Sequence, residues 1–428
     1  MSTTPENSIP AVLTPDARPT LIRAGTVVDG AGTCAVPGAV LLRGREVVAA
    51  GAPERIGVPA DARIVDRPFH AVVPAFVNVH AHLDLTHIGP LPRPARFTDW
   101  IGQVRAGRAD DPVALRQSVR AGIQASIAGG TAAIGDIAGA ESTIPAEALE
   151  QSGLLGVSYR EYFGAGPRQS AAVERIAAFV AETGERASAA GISPHAPYSC
   201  GPAVFRAAAA SGRPVATHLA ETLAEVDLAR DGDGEMVEFL RTIGVWDDAL
   251  RDGPDPIAGL GQHPIDAVLD WLDGAPAVVA HVNYPEPGHL ERLAAAGVTV
   301  AYCPRASAYF GHPAPGAAPH AWRDMLAAGV RVALGTDGMP CLDTPGRLSV
   351  LDEMRLLFRR DRPDPRQLLA MATVHGAAGL GLPEARFTFA PGPLAGLLAI
   401  PVPPAIRGDR WVAALATGGP IEWLLGPG

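Results

Sequence analysis

The segment Val77-Asn78-Val79-His80-Ala81-His82-Leu83-Asp84 sets two histidines two residues apart. Side chains alternate faces along an extended strand, so His80 and His82 point the same way and offer two imidazoles to one metal ion. By itself such a pair also suits solvent-facing or core histidines. Three later segments change the weighing: Thr217-His218-Leu219-Ala220-Glu221, Ala280-His281-Val282-Asn283 and Gly335-Thr336-Asp337-Gly338. Each ends an apolar run with a metal ligand or an acid/base group. Imidazoles and a carboxylate suit Zn²⁺ and, less closely, Fe²⁺, with one position left open for water. Taken singly, Asp337 also reads as the cap of a following helix. Taken together, these residues require a place in the fold where they meet.

Parallel strands ending on one face supply such a place. After Pro74, short apolar runs end at Val79, Asp136, Glu161, Pro194, Thr217, Ala280, Cys303 and Gly335. They alternate with stretches of helical period such as 112–128, 171–189 and 289–296. Eight such units over about 300 residues predict an α/β protein with a (β/α)8 barrel, in which the carboxyl ends of the strands converge. A doubly wound sheet competes, but the Gly-rich turn expected after its first strand is missing. Ahead of this region, β-branched runs at 21–28, 40–42, 47–50, 64–65 and 71–73 predict a small β-domain. Two more strand-like runs, 397–402 and 411–415, are expected to rejoin it as a composite β-sandwich. The expected order is a loose tail at 1–19, β-domain at 20–74, barrel at 75–385 and β-domain again at 386–428.

Composition narrows the ligand. The chain has 428 residues, 47% hydrophobic and 19% charged, and a formal net charge of -10. That charge disfavours nucleic acid and anionic membranes, which attract basic surfaces, and leaves a small molecule. All 35 basic residues are Arg. Without Lys there is no Schiff-base chemistry, no phosphate-loop Lys and no carbamylated Lys between two metals. The four cysteines, Cys34, Cys200, Cys303 and Cys341, lack the close spacing of a thiolate metal site and read as reduced thiols. With no apolar leader and no membrane-length run, the expectation is a cytoplasmic protein.

In these motifs, and in their order, the chain resembles the amidohydrolase superfamily, specifically its mononuclear-metal deaminase branch. The resemblance runs over nearly the whole chain. It implies that His80, His82, His218 and Asp337 hold one divalent metal, Zn²⁺ in preference to Fe²⁺. It implies that Glu221 is the general acid/base and His281 a catalytic histidine. Binuclear relatives carry a carbamylated Lys where this chain reads Ile192-Ser193-Pro194-His195-Ala196-Pro197-Tyr198. That stretch is similar to the substrate-binding segment of guanine-, adenosine-type and aminofutalosine deaminases, which implies substrate binding by His195.

The implied reaction is hydrolytic deamination of a cyclic amidine: an aminopurine, a modified adenine nucleoside such as aminofutalosine, or a similar heterocycle. In it Glu221 moves a proton from water to the ring, His281 steadies the attacking oxygen, and Asp337 relays a proton to departing ammonia. Chlorohydrolase-like displacement on a triazine ring and a non-catalytic binding protein are the alternatives. Asp84 stands where relatives often have Glu, and Cys303-Pro304-Arg305-Ala306-Ser307 replaces a more usual C-P-R-S-N. Trp100, Arg160, Glu161, Trp246, Arg305 and His312 are the expected substrate contacts beside His195, and 231–264 is the expected lid. The expected partner is a small heterocycle, with no nucleic acid or membrane and a homodimer allowed.

Overall fold

The computed structural model describes residue 13 and residues 18–139, 142–184 and 190–428. The expected tail at 1–19 lies largely outside these residues, as do the last five positions of the helical stretch expected at 171–189.

Two sheets organise the chain. The larger is a nine-stranded parallel sheet, ordered Arg331–Leu334, Thr299–Tyr302, Ala277–His281, Val215–Leu219, Ala190–Pro194, Leu155–Tyr162, Thr131–Ala138, Phe76–His82 and Asp337–Gly338. Its edge pieces, Arg331–Leu334 and Asp337–Gly338, are separated in sequence by Gly335 and Thr336 alone. There the Gly335 amide donates to the Tyr302 carbonyl at 2.9 Å and the Thr336 amide to the His80 carbonyl at 3.0 Å. The sheet therefore curls, and its two edge pieces follow one another in the chain. Phe76–His82 is buried at every position, as expected of a parallel strand covered on both faces.

Helices follow the strands. Pro112–Ala128 begins with Pro at its first turn, and Asp111 accepts hydrogen bonds from the Val113 and Ala114 amides. Gln169–Thr183 and His289–Ala295 match the 3.6-residue patterns in the sequence. None of the described helices is long and apolar enough to cross a membrane.

The second sheet has eight strands. Pro19–Val28, Gly38–Arg43, Glu46–Gly51 and Arg63–Pro74 come from the first part of the chain. Leu397–Pro401 pairs antiparallel with Arg63–Pro74, Leu397 opposite Pro74 and Pro401 opposite His70. The runs at 64–65 and 71–73 are parts of one twelve-residue strand. The run at 411–415 is not a strand. It lies in the helix Arg410–Thr417, whose first turn is capped by Asp409 accepting from the Trp411 amide at 2.8 Å. Alanines at 413, 414 and 416 favour the helix, and the cap fixes where it starts. The last strand is Glu422–Leu425.

Candidate functional site

The ends of the parallel strands bring the chemistry-bearing residues to one buried place. His80 and His82 finish the first strand, His218 lies one residue from the end of Val215–Leu219, and His281 closes Ala277–His281. Asp337 opens the short strand beside Ala81. His82 Nε2 is 3.3 Å from His218 Nε2 and 3.5 Å from Asp337 Oδ1, while His80 Nε2 is 3.9 Å from the same oxygen. His281 Nε2 is 3.6 Å from Glu221 Oε1.

These atoms fit a metal. Both ring nitrogens of His80, Nδ1 of His82 and Nε2 of His281 are buried without a hydrogen-bond partner. Such orphans are rare among buried polar groups unless something else occupies their lone pairs. His218 Nδ1 faces the His195 carbonyl at 2.8 Å, which fixes its tautomer and leaves Nε2 as a lone-pair donor. Nitrogens 3.3 Å apart also match the edge of a tetrahedron with bonds of about 2.0–2.1 Å. Burial holds His80, His82 and His281 well below the ordinary imidazole range and His218 down to about 4, so all four are neutral donors. Burial raises the Asp337 carboxyl to about 6, and burial, with the charge of Asp337 second, raises Glu221 well above the usual range.

Backbone strain gathers here. Six described non-glycine residues have positive φ, and four of them are Ala220 (48°), His281 (73°), Val282 (50°) and Asp337 (62°). Left-handed backbone at a β-branched residue such as Val282 is costly and persists only where its surroundings enforce it. The enforcement is visible. The amides of Val282 and Asn283 donate to the carbonyls of Leu219 and Ala220, and Asn283 Nδ2 donates to the Glu221 carbonyl at 3.0 Å. Glu225 accepts from the Ala220 amide at 2.6 Å and the Glu221 amide at 3.1 Å. The Thr222-x-x-Glu225 spacing is the signature of a capping box, and it is the signal by which Glu225 was open to discovery in the sequence. Glu225→Gln exchanges one acceptor for a donor facing an amide. It is expected to retain the metal and lower turnover by about tenfold to 10²-fold through misplacement of Glu221. Unchanged turnover, measured beside an altered urea midpoint, means that Glu225 serves the fold alone.

Gly335 is required by close approach. A Cβ there falls 2.8 Å from Cβ of His80 and 2.9 Å from Sγ of Cys303. Gly335→Ala is therefore expected to displace His80 and lower metal content at saturation, read by elemental analysis, with stability falling by about 1–3 kcal/mol from overpacking. Full metal content in a folded variant counts against this packing.

A cavity of ≈ 250 Å³ opens from these residues. Its wall includes His82, His218, Glu221, His281 and Asp337, together with Trp100, Glu161 and His195 of the expected substrate contacts. Phe97, Trp100, Ile101 and Val104 present one face of the helix Phe97–Gly107 to it. Phe239, Leu240, Ile243 and Val245, within the segment expected as a lid, also line it. Thr98 Oγ1 donates to Glu235 Oε1 at 2.5 Å and ties the two segments together.

Four expected contacts lie elsewhere. Arg160 precedes Glu161 on one strand and so faces the other way, its guanidinium 4.3 Å over the Phe179 ring. Arg305 sits in the first turn of Pro304–Phe310, pairs with Asp343 and approaches Glu353 at 3.7 Å, beside a separate groove. His312 turns away toward Tyr284, whose hydroxyl is 2.7 Å from its Nδ1. Trp246 packs with Ala165, Leu250 and Ile257 and has Arg241 over its ring. Arg108, which lines the cavity, was not among the expected contacts; it lies in a polar surface stretch with no local motif.

Comparison with known proteins agrees with this arrangement. Residues 71–419 match the family model described as Amidohydrolase family. An aminodeoxyfutalosine deaminase of Deinococcus radiodurans is 30% identical over 382 residues, covering 84% of this chain and 85% of that protein. A 5-methylthioadenosine/S-adenosylhomocysteine deaminase of Pelotomaculum thermopropionicum is 27% identical over 387 residues, covering 85% of this chain and 81% of that protein. The crystal structure of an adenosine deaminase from Xanthomonas campestris with bound zinc superposes with a TM-score of 0.72 at 20% identity, covering 95% of this chain and 90% of that one. A parallel sheet gathering histidines and an aspartate at its strand ends, matched over four fifths of the sequence, places this chain in the amidohydrolase family.

Proposed function

We propose that this protein is a metal-dependent aminohydrolase that deaminates a cyclic amidine, a modified adenine nucleoside in the first instance. The convergence of His80, His82, His218 and Asp337 beside Glu221 and His281 is the observation that carries the reading. The two curated relatives named above are deaminases, which favours deamination over displacement on a triazine ring. We further propose that the curled sheet is a closed (β/α)8 barrel at 75–385, with 20–74 and 386–428 forming one composite β-domain.

His80, His82, His218 and Asp337 would hold one divalent ion, for which zinc is our choice given the neutral imidazoles and single carboxylate. Such an ion, when bound, brings the pKa of a water near neutrality and polarises its target. The rest is done by the chain. Burial, and second to it the charge of Asp337, raise the Glu221 carboxyl well above the usual carboxylate range, which makes it a better proton acceptor than a free glutamate. It takes a proton from water and delivers it to a ring nitrogen, which makes the amino-bearing carbon open to attack. Neutral His281, 3.6 Å from Glu221, orients the attacking oxygen. Asp337 passes the second proton to the amino group, which leaves as ammonia while the carbonyl forms. The apolar walls from Phe97–Gly107 and 239–245 exclude water from the ring.

The test is ammonia release by metal-loaded protein from adenosine, 5′-methylthioadenosine, aminopurines and pterins. Ammonia from an adenine nucleoside supports the reading. Chloride released from a chlorotriazine with no ammonia from any amidine replaces it with displacement.

A further inference from the structure

The peptide group that joins His281 to Val282 is held at both of its polar ends. Its N–H donates to the Leu219 carbonyl at 2.9 Å, and its C=O, the carbonyl of His281, faces Nε2 of His320 at 2.9 Å. The register of the neighbouring strand Thr299–Tyr302 covers Val278 to Ala280 and stops short of His281. A side chain has therefore taken the place of the sheet as partner to this carbonyl. His320 comes 39 residues further on, in the loop ahead of the helix Trp322–Ala327. It is buried, and it does not line the cavity.

The other bonds of His320 make it a donor here. Nδ1 accepts from the Trp322 amide at 3.1 Å, so the proton of the ring sits on Nε2, the nitrogen that faces the His281 carbonyl. Burial holds the imidazole down to about 4, which keeps it neutral with that single proton. The plane of the ring is set by Tyr302, stacked on it with centroids 3.7 Å apart and planes 12° from parallel. Tyr302 is held in turn by Arg360, whose Nη2 donates to its hydroxyl at 3.0 Å, and the Trp322 indole donates to Asp361 at 3.0 Å. Arg360 and Asp361 end the helix Val350–Asp361, so the ring of His320 is anchored to a helix outside the site.

We infer that His320 is a positioning residue for His281: its Nε2–H fixes the peptide plane between His281 and Val282, and with it the direction from which the His281 imidazole meets the attacking oxygen. The inference rests on the deaminase reading for what His281 does, and goes beyond it in making turnover depend on a residue outside the cavity. Both residues joined by this peptide stand against backbone preference, with φ of 73° at His281 and 50° at Val282. Without the donor the carbonyl is left buried and unpaired, and a turn of the peptide lets β-branched Val282 return to negative φ. The backbone of His281 moves with that turn, and its Nε2 leaves its place 3.6 Å from Glu221. A displacement of about 1 Å at such a group costs on the order of 10²-fold in rate.

The experiment pairs His320→Phe, which keeps a ring to stack on Tyr302 and removes both nitrogens, with His320→Gln, whose amide offers an N–H near the place of Nε2. In ammonia release from adenosine or 5′-methylthioadenosine by the metal-loaded full chain, His320→Phe is expected to lower kcat by about tenfold to 10²-fold with KM and metal content unchanged. His320→Gln is expected to recover kcat to within about threefold. A second readout needs no activity. In protein labelled with ¹⁵N-histidine, with His281 assigned through His281→Asn, the His281 ring signals are expected to move in His320→Phe and to return in His320→Gln. Unmoved signals, or an unchanged kcat, in a folded His320→Phe protein overturn the inference, and His320 then serves the fold alone. Where that variant fails to fold, the unsubstituted protein decides: His320 is expected to carry its proton on Nε2, and a proton on Nδ1 overturns the inference. No ammonia from any amidine, with the His281 signals moving as expected, upholds the positioning and overturns deamination.

Discussion

Glu221→Gln is expected to leave metal content at its full value and to reduce turnover by about 10²- to 10⁴-fold, the scale of a lost general acid/base. The amide has the same shape, so the contacts of the backbone around residue 221 remain: the amides of Ala220 and Glu221 still donate to Glu225, and Asn283 still holds the carbonyl of residue 221. What disappears is a group that exchanges its proton. Turnover should fall with little change in KM, because the lost interaction belongs to the transition state. Metal content and turnover measured on one preparation decide the matter. A variant that keeps near-normal turnover with a confirmed substrate shows that the proton travels by another route.

His218→Ala is expected to have the other large effect, with metal and activity lost together. The unsubstituted protein should hold one divalent ion per chain by elemental analysis, since the ligand atoms of His80, His82 and His218 converge once and no Lys exists to bridge a pair. Removing His218 takes a ligand from the centre of that group and leaves His82 Nε2 with Asp337 as its nearest partner. Turnover should fall by about 10³-fold or more, because without the ion the pKa of water returns from near 7 toward that of bulk. Two equivalents of metal at full activity in the unsubstituted protein defeat the single-ion arrangement. A His218→Ala protein that keeps one tightly bound ion shows that His218 is not a ligand.

The difference between these variants rests on residues that the sequence displays unusually well. His80, His82, His218, His281 and Asp337 each stand at the end of a short apolar run, so a local pattern marks both the strand and its functional terminus. Bringing them together needed only the parallel topology, which strand-helix alternation implies. Side-chain direction at loop entrances was less legible. Arg160 and Glu161 are adjacent and equally polar, and only the register of Leu155–Tyr162 decides which one enters the cavity. Arg305 and His312 follow a strand end as Glu221 does, but the helix Pro304–Phe310 turns them toward Asp343 and Tyr284. The run at 411–415 shows the same limit at the level of elements. Its apolar residues fit either period, and Asp409 at the cap decided for helix.

The four left-handed residues at the strand ends have a consequence for how such a site changes over time. Each position outside glycine in that conformation costs on the order of 1–3 kcal/mol, so a fold under selection for persistence alone gains by relaxing it. Ala220, His281, Val282 and Asp337 lie beside or among the reacting groups, and their strain is worth keeping only while the placement of those groups matters. In a descendant that kept the cavity but gave up turnover, the first marks of disuse would therefore appear in the main chain, as glycine or asparagine at 220 and 282.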